Sequence, residues 1–167
     1  MELDKAIKSR KSVRKFSLKK PEWKKIIECI DSMRYSPIAG RNCVLKIILV
    51  DNSELIGKIA EECQQDFIST AKYVVVVCSN ASRLVNAYEN KGEVYSRQQA
   101  GASIENFLLK ITDLGLASCW VGAFAESMVK TLLRVPDDVT LEAILPVGYA
   151  RVLGRQRRKP NIDSLLY

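Results

Sequence analysis

Residues 10–16 read Arg10-Lys11-Ser12-Val13-Arg14-Lys15-Phe16, four cations and a hydroxyl within seven residues. Guanidinium groups offer rigid forks of N–H donors, ammonium groups add compact charge, and a hydroxyl supplies one further donor. That set suits a phosphate together with a second electron-rich group of the same ligand. A second basic run, 151–159, contains Arg151, Arg155, Arg157, Arg158 and Lys159. Two such runs form one anion site if the fold brings them together, and solvated tails if it does not. Histidine is absent, and the five cysteines (Cys29, Cys43, Cys63, Cys78, Cys119) include no CxxC pair. Zinc or haem would find few ligands here, and the cysteines read as small buried hydrophobes in a reducing compartment. No metal site and no catalytic side chain is assigned.

These groups sit in a chain of 167 residues, 47% hydrophobic and 27% charged, which is the composition of one globular domain spanning 1–167. Lys and Arg number 26 against 19 Asp and Glu, a net charge of +7 that suits nucleic acid, an anionic cofactor or an anionic substrate. The charge brackets the chain, at 5–25 and 151–159, and aromatics make up only 7%, so no aromatic-rich basic face for nucleic acid is evident. No apolar run approaches the roughly 20 residues that span a bilayer. Met1-Glu2-Leu3-Asp4 opens no apolar leader, so a cytoplasmic location is the expectation.

The elements that must position the basic runs follow from periodicity. Leu3, Ala6 and Ile7 suit one face of a short helix. Pro21 fits the first turn of a second helix carrying Trp23, Ile26, Ile27, Ile30 and Met33, broken at Ser36-Pro37-Ile38-Ala39-Gly40. Val44 to Val50 reads as a strand, and Ser53 can cap a helix with Leu55, Ile56, Ile59 and Cys63. Tyr73 to Cys78 is continuous and β-branched, as a strand buried on both faces. Residues 79–92 are polar and carry no clear period. A long helix runs from about Glu93 to Leu114, with Gly115 placed to end it. Ala117 to Val121 is a strand, Ala125 to Arg134 a helix and Leu141 to Val147 a strand. The basic tail ends in apolar Leu165-Leu166-Tyr167, as an arm that packs on something, such as a second subunit.

Four segments in order resemble the nitroreductase family of FMN-dependent oxidoreductases. Arg10 to Phe16 is similar to the family's Arg-Arg-Ser-x-Arg-x-Phe opening. Ser36 to Gly40 resembles its Pro-Ser-Ala-Gly-Asn turn. Gly101-Ala102-Ser103-Ile104-Glu105-Asn106-Phe107-Leu108-Leu109, running on to Leu114 through Phe124, is the most specific of the four. Leu145-Pro146-Val147-Gly148-Tyr149, then Arg157-Arg158-Lys159-Pro160, completes the set. The resemblance implies a compact member with an α+β three-layer sandwich, a central mixed sheet of about four to five strands flanked by helices.

The resemblance also implies a cofactor, FMN, and roles for particular residues. Arg10 and Ser12, with Lys11 beside them, match positions on the FMN phosphate. Arg14 matches the position near flavin N1 and O2, where reduction places negative charge that a fixed cation stabilises. Val121 and Gly122 match the segment whose backbone N–H points at flavin N5, where glycine permits close approach to the ring. Arg157 and Arg158 match C-terminal phosphate ligands, with Arg155 an alternative register. Gln64, or its neighbour Gln65, matches a side chain on the pyrimidine edge. Pro37, Ile38 and Ala39 match a turn that reaches the flavin of the other subunit, which implies a homodimer whose sites lie at the interface, with the arm 151–167 packing on the partner. The family usually continues Gly-Asn-x-Gln-Pro-Trp. Here Gly40-Arg41-Asn42-Cys43-Val44-Leu45 puts Arg41 where Asn is expected, leaves Asn42 to serve after a one-residue shift, and lacks the Gln, Pro and Trp.

The implied activity is hydride transfer from NADH or NADPH through bound flavin to a nitroaromatic, quinone or similar small oxidised acceptor. No GxGxxG segment exists, so the nicotinamide would stack on the flavin. Two other readings share the cofactor: a specialised flavin enzyme of the dehalogenase or flavin-fragmenting type, and a flavin sensor or carrier without turnover.

Overall fold

The structure, a computed structural model, describes residues 1–152, 154 and 158–166. Six helices and four strands follow the order α1 (Leu3–Ser9), α2 (Trp23–Ser32), β1 (Leu45–Val50), α3 (Ser53–Glu62), β2 (Tyr73–Ser79), α4 (Ser82–Tyr88), α5 (Lys91–Asp113), β3 (Ala117–Ser118), α6 (Glu126–Leu133) and β4 (Thr140–Gly148) among the described residues. The sheet order is β1-β2-β4-β3. Every strand pair is antiparallel. The one parallel pairing is the isolated bridge Ser12–Ser118, so the mixed character lies at the β3 edge among the described residues.

The alternation of side chains along β2 divides the core into two halves. Tyr73, Val75 and Val77 face α2 and α5, where Ile26, Cys29, Met33, Ile104, Phe107 and Ile111 pack against them. Val74, Val76 and Cys78 face α3 and α6, against Ile56, Ile59, Cys63 and Val129. Helices thus cover both faces of an α+β sheet, the three-layer arrangement expected. The fully buried β2 explains its unbroken β-branched run, because a strand covered on both sides has no polar face to offer.

Local signals account for most boundaries. Gly115 ends α5 with φ of 69°. Its N–H donates to Thr112 O and the Leu116 N–H to Ile111 O, which satisfies the last carbonyls of the helix. Several expectations need correction. Asn52, not Ser53, caps α3, its Oδ1 accepting the Leu55 N–H at 2.9 Å. Pro21 lies ahead of α2, whose N-cap is Glu22. The strand expected over 117–121 stops at Ser118, and Val121 pairs alone with Ile144. The polar stretch 79–92 holds a helix, α4, which packs on α5. That contact requires glycine at 92, since a Cβ there would stand 2.3 Å from the Val85 N. No helix among the described residues is long and apolar enough to cross a membrane.

Candidate functional site

The basic opening segment adds itself to the sheet beside β3 and the end of β4. The Val13 N–H donates to Ser118 O at 2.9 Å, the Ser17 N–H to Tyr149 O at 2.8 Å and the Arg151 N–H to Lys15 O at 2.8 Å. Val13 and Phe16 are buried with Ala71 and Ala117, while Ser12 and Arg14 are exposed. Close packing fixes this geometry, because a Cβ at Gly148 would come within 3.0 Å of the Phe16 ring.

Contacts from Arg14 and Ser12 lead round a closed circuit. The Arg14 guanidinium lies 5.8 Å from the centroid of the Phe67 ring. Phe67 follows Gln65, whose Nε2 donates to Ala123 O at 3.3 Å. Ala123 follows Gly122, and the Ala125 N–H donates to Glu62 O at 3.0 Å, which ties the same loop to the end of α3. Three residues back from Gly122, the buried Cys119 returns to the start. Burial pushes its thiol up, while the Arg14 charge and a Ser12 hydrogen bond pull it down by less. Ser12, Arg14, Gln64, Gln65, Val121 and Gly122 therefore gather at one edge of the α3 face.

Each member contributes a distinct group. Val121 exchanges both backbone hydrogen bonds with Ile144 at 3.0 Å. Gly122 follows directly; it is exposed, its N–H has no hydrogen-bond partner among the described residues, and nothing lies within 4 Å of where a Cβ would stand. Gln64 is exposed in the left-handed region, with φ of 51°. The Ser118 hydroxyl, beside Ser12, is buried without a hydrogen-bond partner. Next to Arg14 opens a cavity of about 450 Å³, lined by Arg14, Lys15, Phe16, Thr70, Arg151 and Val152. Three cations around one cavity make it a place for an anion.

The two basic runs do meet. Lys11 Nζ donates to Gly154 O at 2.9 Å, and the Lys15–Arg151 backbone bond joins them again. Arg10 is held by Glu105 of α5, Nε to Oε1 at 3.0 Å. Arg158 is exposed, without an ion pair or hydrogen bond among the described residues. Arg157 and Arg155 lie outside the described residues.

Pro37, Ile38 and Ala39 follow Ser36, whose hydroxyl hydrogen-bonds that of Ser103 in α5 at 2.5 Å, and Ile38 lines a cavity of about 280 Å³ with Met33, Leu45 and Ser103. These three residues precede β1, whose first residue Leu45 pairs with Ser79, the last of β2. Ser12 pairs with Ser118, and Ser118 with Val147, which faces Tyr73, the first of β2. Leu45 and Ser12 therefore lie toward opposite ends of β2, whose length is about 20 Å at roughly 3.3 Å per residue.

Sequence reasoning missed Glu105, Phe67 and Cys119 as neighbours of the basic segment. Their signal is long-range packing, which no local pattern carries. Gln65 was named only as the alternative to Gln64, and it is Gln65 whose amide is tied to the 122–125 loop.

Comparisons with known proteins agree with this architecture. A candidate nitroreductase of Methanocaldococcus jannaschii is 27% identical over 114 residues, 68% of this chain, and the match spans only 56% of that protein. The NADPH:FMN oxidoreductase of Vibrio harveyi, solved in complex with NAD+, superposes with a TM-score of 0.89 at 17% identity, over 99% of this chain and 76% of that one. Oxidised iodotyrosine deiodinase, solved with FMN and 3-iodo-L-tyrosine, superposes with a TM-score of 0.86 at 21% identity, over 96% of each chain. The family model described as "Nitroreductase family" matches residues 57–149, more than half of the chain and the stretch that runs from α3 through β4, so the chain belongs to the nitroreductase family.

Proposed function

We propose that this chain is a cytoplasmic FMN-dependent oxidoreductase. Bound FMN would accept hydride at N5 from NADH or NADPH and pass it to a nitroaromatic, quinone or similar acceptor. The observation that carries the reading is the pairing of the Gly122 N–H, which no described residue engages, in an exposed residue with open space where a Cβ would stand, with the Arg14 cation across one contact circuit. A donor at Gly122 suits the reacting nitrogen, and a cation at Arg14 suits the negative charge that reduction adds to the ring.

The chain's own groups would divide the rest. Ser12, Lys11 and Arg10 would hold the phosphate, with Glu105 orienting the Arg10 guanidinium. Arg157 and Arg158 would join them, since Lys11 already brings Gly154 to that segment. Gln64 would reach the pyrimidine edge from the end of α3, while Gln65 fixes the 122–125 loop. No histidine stands in the sequence, and none is required, because solvent can supply protons at an open site.

Pro37, Ile38 and Ala39 would complete the site from a second copy, as the family resemblance of this turn implies. Homodimer formation also gives a place for the arm after 151, whose Ile162, Leu165 and Leu166 are each more than 60% exposed. The relatives include a deiodinase structure holding FMN and 3-iodo-L-tyrosine, which makes reductive dehalogenation the second reading.

The test is direct. Purified protein should be yellow, and anaerobic NADH or NADPH should bleach it; colourless protein that takes up no added FMN refutes the proposal. Arg14→Ala should weaken FMN retention or slow bleaching. Reoxidation of the reduced protein by 3-iodotyrosine but not by quinones or nitroaromatics would select the second reading.

A further inference from the structure

The flavin reading uses Arg14 and leaves its neighbours idle. Lys15 and Arg151 line the cavity of about 450 Å³ beside Arg14, with Phe16, Thr70 and Val152. No Asp or Glu lines it. Arg10 has a carboxylate partner in Glu105, but Arg14, Lys15 and Arg151 make no ion pair among the described residues. Like charges gathered without a counter-charge repel one another, and a bound anion relieves that repulsion.

Backbone pairing holds the cations together. The Arg151 N–H donates to Lys15 O and the Ser17 N–H to Tyr149 O, both at 2.8 Å, so Lys15 and Arg151 rise from two joined segments. Phe16, 5% exposed, anchors the same place by packing with Val13, Ala71 and Ala117. Thr70 spends its hydroxyl proton on Phe67 O at 2.7 Å. The side-chain donors left to the cavity are therefore the three cations.

Position decides which anion they meet. Ser12 is bridged to Ser118 and Phe16 to Ala150, so the segment leads from the groups assigned to the FMN phosphate, past Arg14 at the ring, to this cavity. An anion held at Lys15 and Arg151 thus belongs to a molecule that visits the ring. The two hydride donors differ by one group, the 2′-phosphate of NADPH, a monoester with nearly two negative charges at neutral pH. An ammonium and a guanidinium match such a dianion. Phe16 and Val152 add apolar wall for the ribose and base that carry it, and the volume falls within the roughly 300–1,000 Å³ of small-molecule sites.

We propose that Lys15 and Arg151 form a subsite for the 2′-phosphate of NADPH and make NADPH the preferred hydride donor. The proposal rests on the flavin reading, which puts the ring at Arg14. Anaerobic reduction of the bound flavin, at about 0.05 M salt where surface charge is weakly screened, should be half-saturated by NADPH at a concentration at least about tenfold below that for NADH. Lys15→Gln and Arg151→Gln, both at exposed residues, should each narrow that gap severalfold, and the double variant should nearly close it. The change should lie in the half-saturating concentration of NADPH rather than in its limiting rate, because the phosphate is remote from the transferred hydride. Calorimetric titration of the full chain reads the subsite without turnover: adenosine 2′,5′-bisphosphate should bind severalfold more tightly than adenosine 5′-monophosphate, and the double variant should bind the two alike. That titration decides the subsite even in protein that takes up no FMN, the outcome that refutes the flavin reading instead. Equal half-saturation by NADPH and NADH in the parent, a gap unmoved in the double variant, or equal affinity of the parent for the two adenosine phosphates would overturn the proposal.

Discussion

Gln64 offers a perturbation that separates backbone strain from ligand contact. It occupies the position after α3 where a helix commonly ends in a left-handed glycine. The Gln64 N–H donates to Glu61 O at 2.9 Å and the Gln65 N–H to Ala60 O at 3.1 Å, with Gln64 at φ 51°. A side chain in that region costs about 1 kcal/mol relative to glycine. Gln64→Gly should therefore stabilise the flavin-free protein by about 1 kcal/mol and raise Tm by about 2–4 °C for a chain of this size. If the amide bonds the flavin, the same change should cost about 0.5–1.5 kcal/mol of affinity, roughly two- to twelvefold in Kd. Gln64→Ala should show the affinity loss without the gain in Tm. Arg134 supplies an internal control, because it also ends a helix in the left-handed region, at φ 54°, at the opposite end of α6 from the 122–125 loop. Arg134→Gly should raise Tm and leave FMN affinity unchanged. Thermal unfolding of flavin-free protein and fluorescence titration with FMN read both quantities. Equal FMN affinity in Gln64→Gly and the parent would refute the idea that the strain is kept for the sake of this side chain. An unchanged Tm in both glycine variants would refute the strain itself.

Four further outcomes are expected. Gly92→Ala forces a methyl against backbone of α4 and should destabilise by about 2–3 kcal/mol, whereas Gly57→Ala, mid-helix with nothing within 4 Å, should stabilise by about 0.5–1 kcal/mol; chemical denaturation compares them. Glu126 is pushed up by burial, but the Leu141 N–H and Lys130 outweigh this and hold its carboxyl below the ordinary value. A lowered folded-state value contributes stability above the unfolded value and loses it as pH falls through the folded one, so the deficit of Glu126→Ala, about 1 kcal/mol at pH 7, should narrow below about pH 4. Burial pushes the Cys29 thiol up to about 12 and those of Cys63 and Cys78 to about 11, and Cys43 alone is exposed, so DTNB at mild alkaline pH should label no more than one of the five thiols until denaturant is added. Ile38→Asp, at an exposed apolar residue of the turn before β1, should lower FMN affinity and shift the chain toward monomer in sedimentation; FMN affinity at parent level in a monomeric variant would refute a shared site.

What could be read from the sequence was what neighbouring residues decide. The run Tyr73 to Cys78 announced a strand covered on both faces, and Gly115 announced the end of α5, because each is a local constraint. The same holds for the basic segment, whose residue types name an anion before any fold is known. Three kinds of feature escaped for three reasons. Asn52 serves as the cap in place of Ser53 because its side-chain oxygen reaches forward to accept the Leu55 N–H, a choice between adjacent good candidates that pattern does not rank. Helix α4 escaped because it is short, buries Leu84 alone, and meets α5 through the close approach of backbone at Gly92, which no apolar period announces. The β-bulge at Glu142 escaped because alternation puts that residue in step with its neighbours, and only the pairing of β4 with β2, Val77 with Ala143 but Cys78 with Leu141, exposes the extra residue. The functional edge shows the same division. Arg10, Ser12 and Arg14 could be named from their types, but the partners that aim them (Glu105, Cys119 and Phe67) come from three other elements and are joined to them only by the fold. A site of this kind is legible as charge and hydrogen-bonding capacity in the sequence, and becomes legible as geometry only where distant strands fix which side chains share a face.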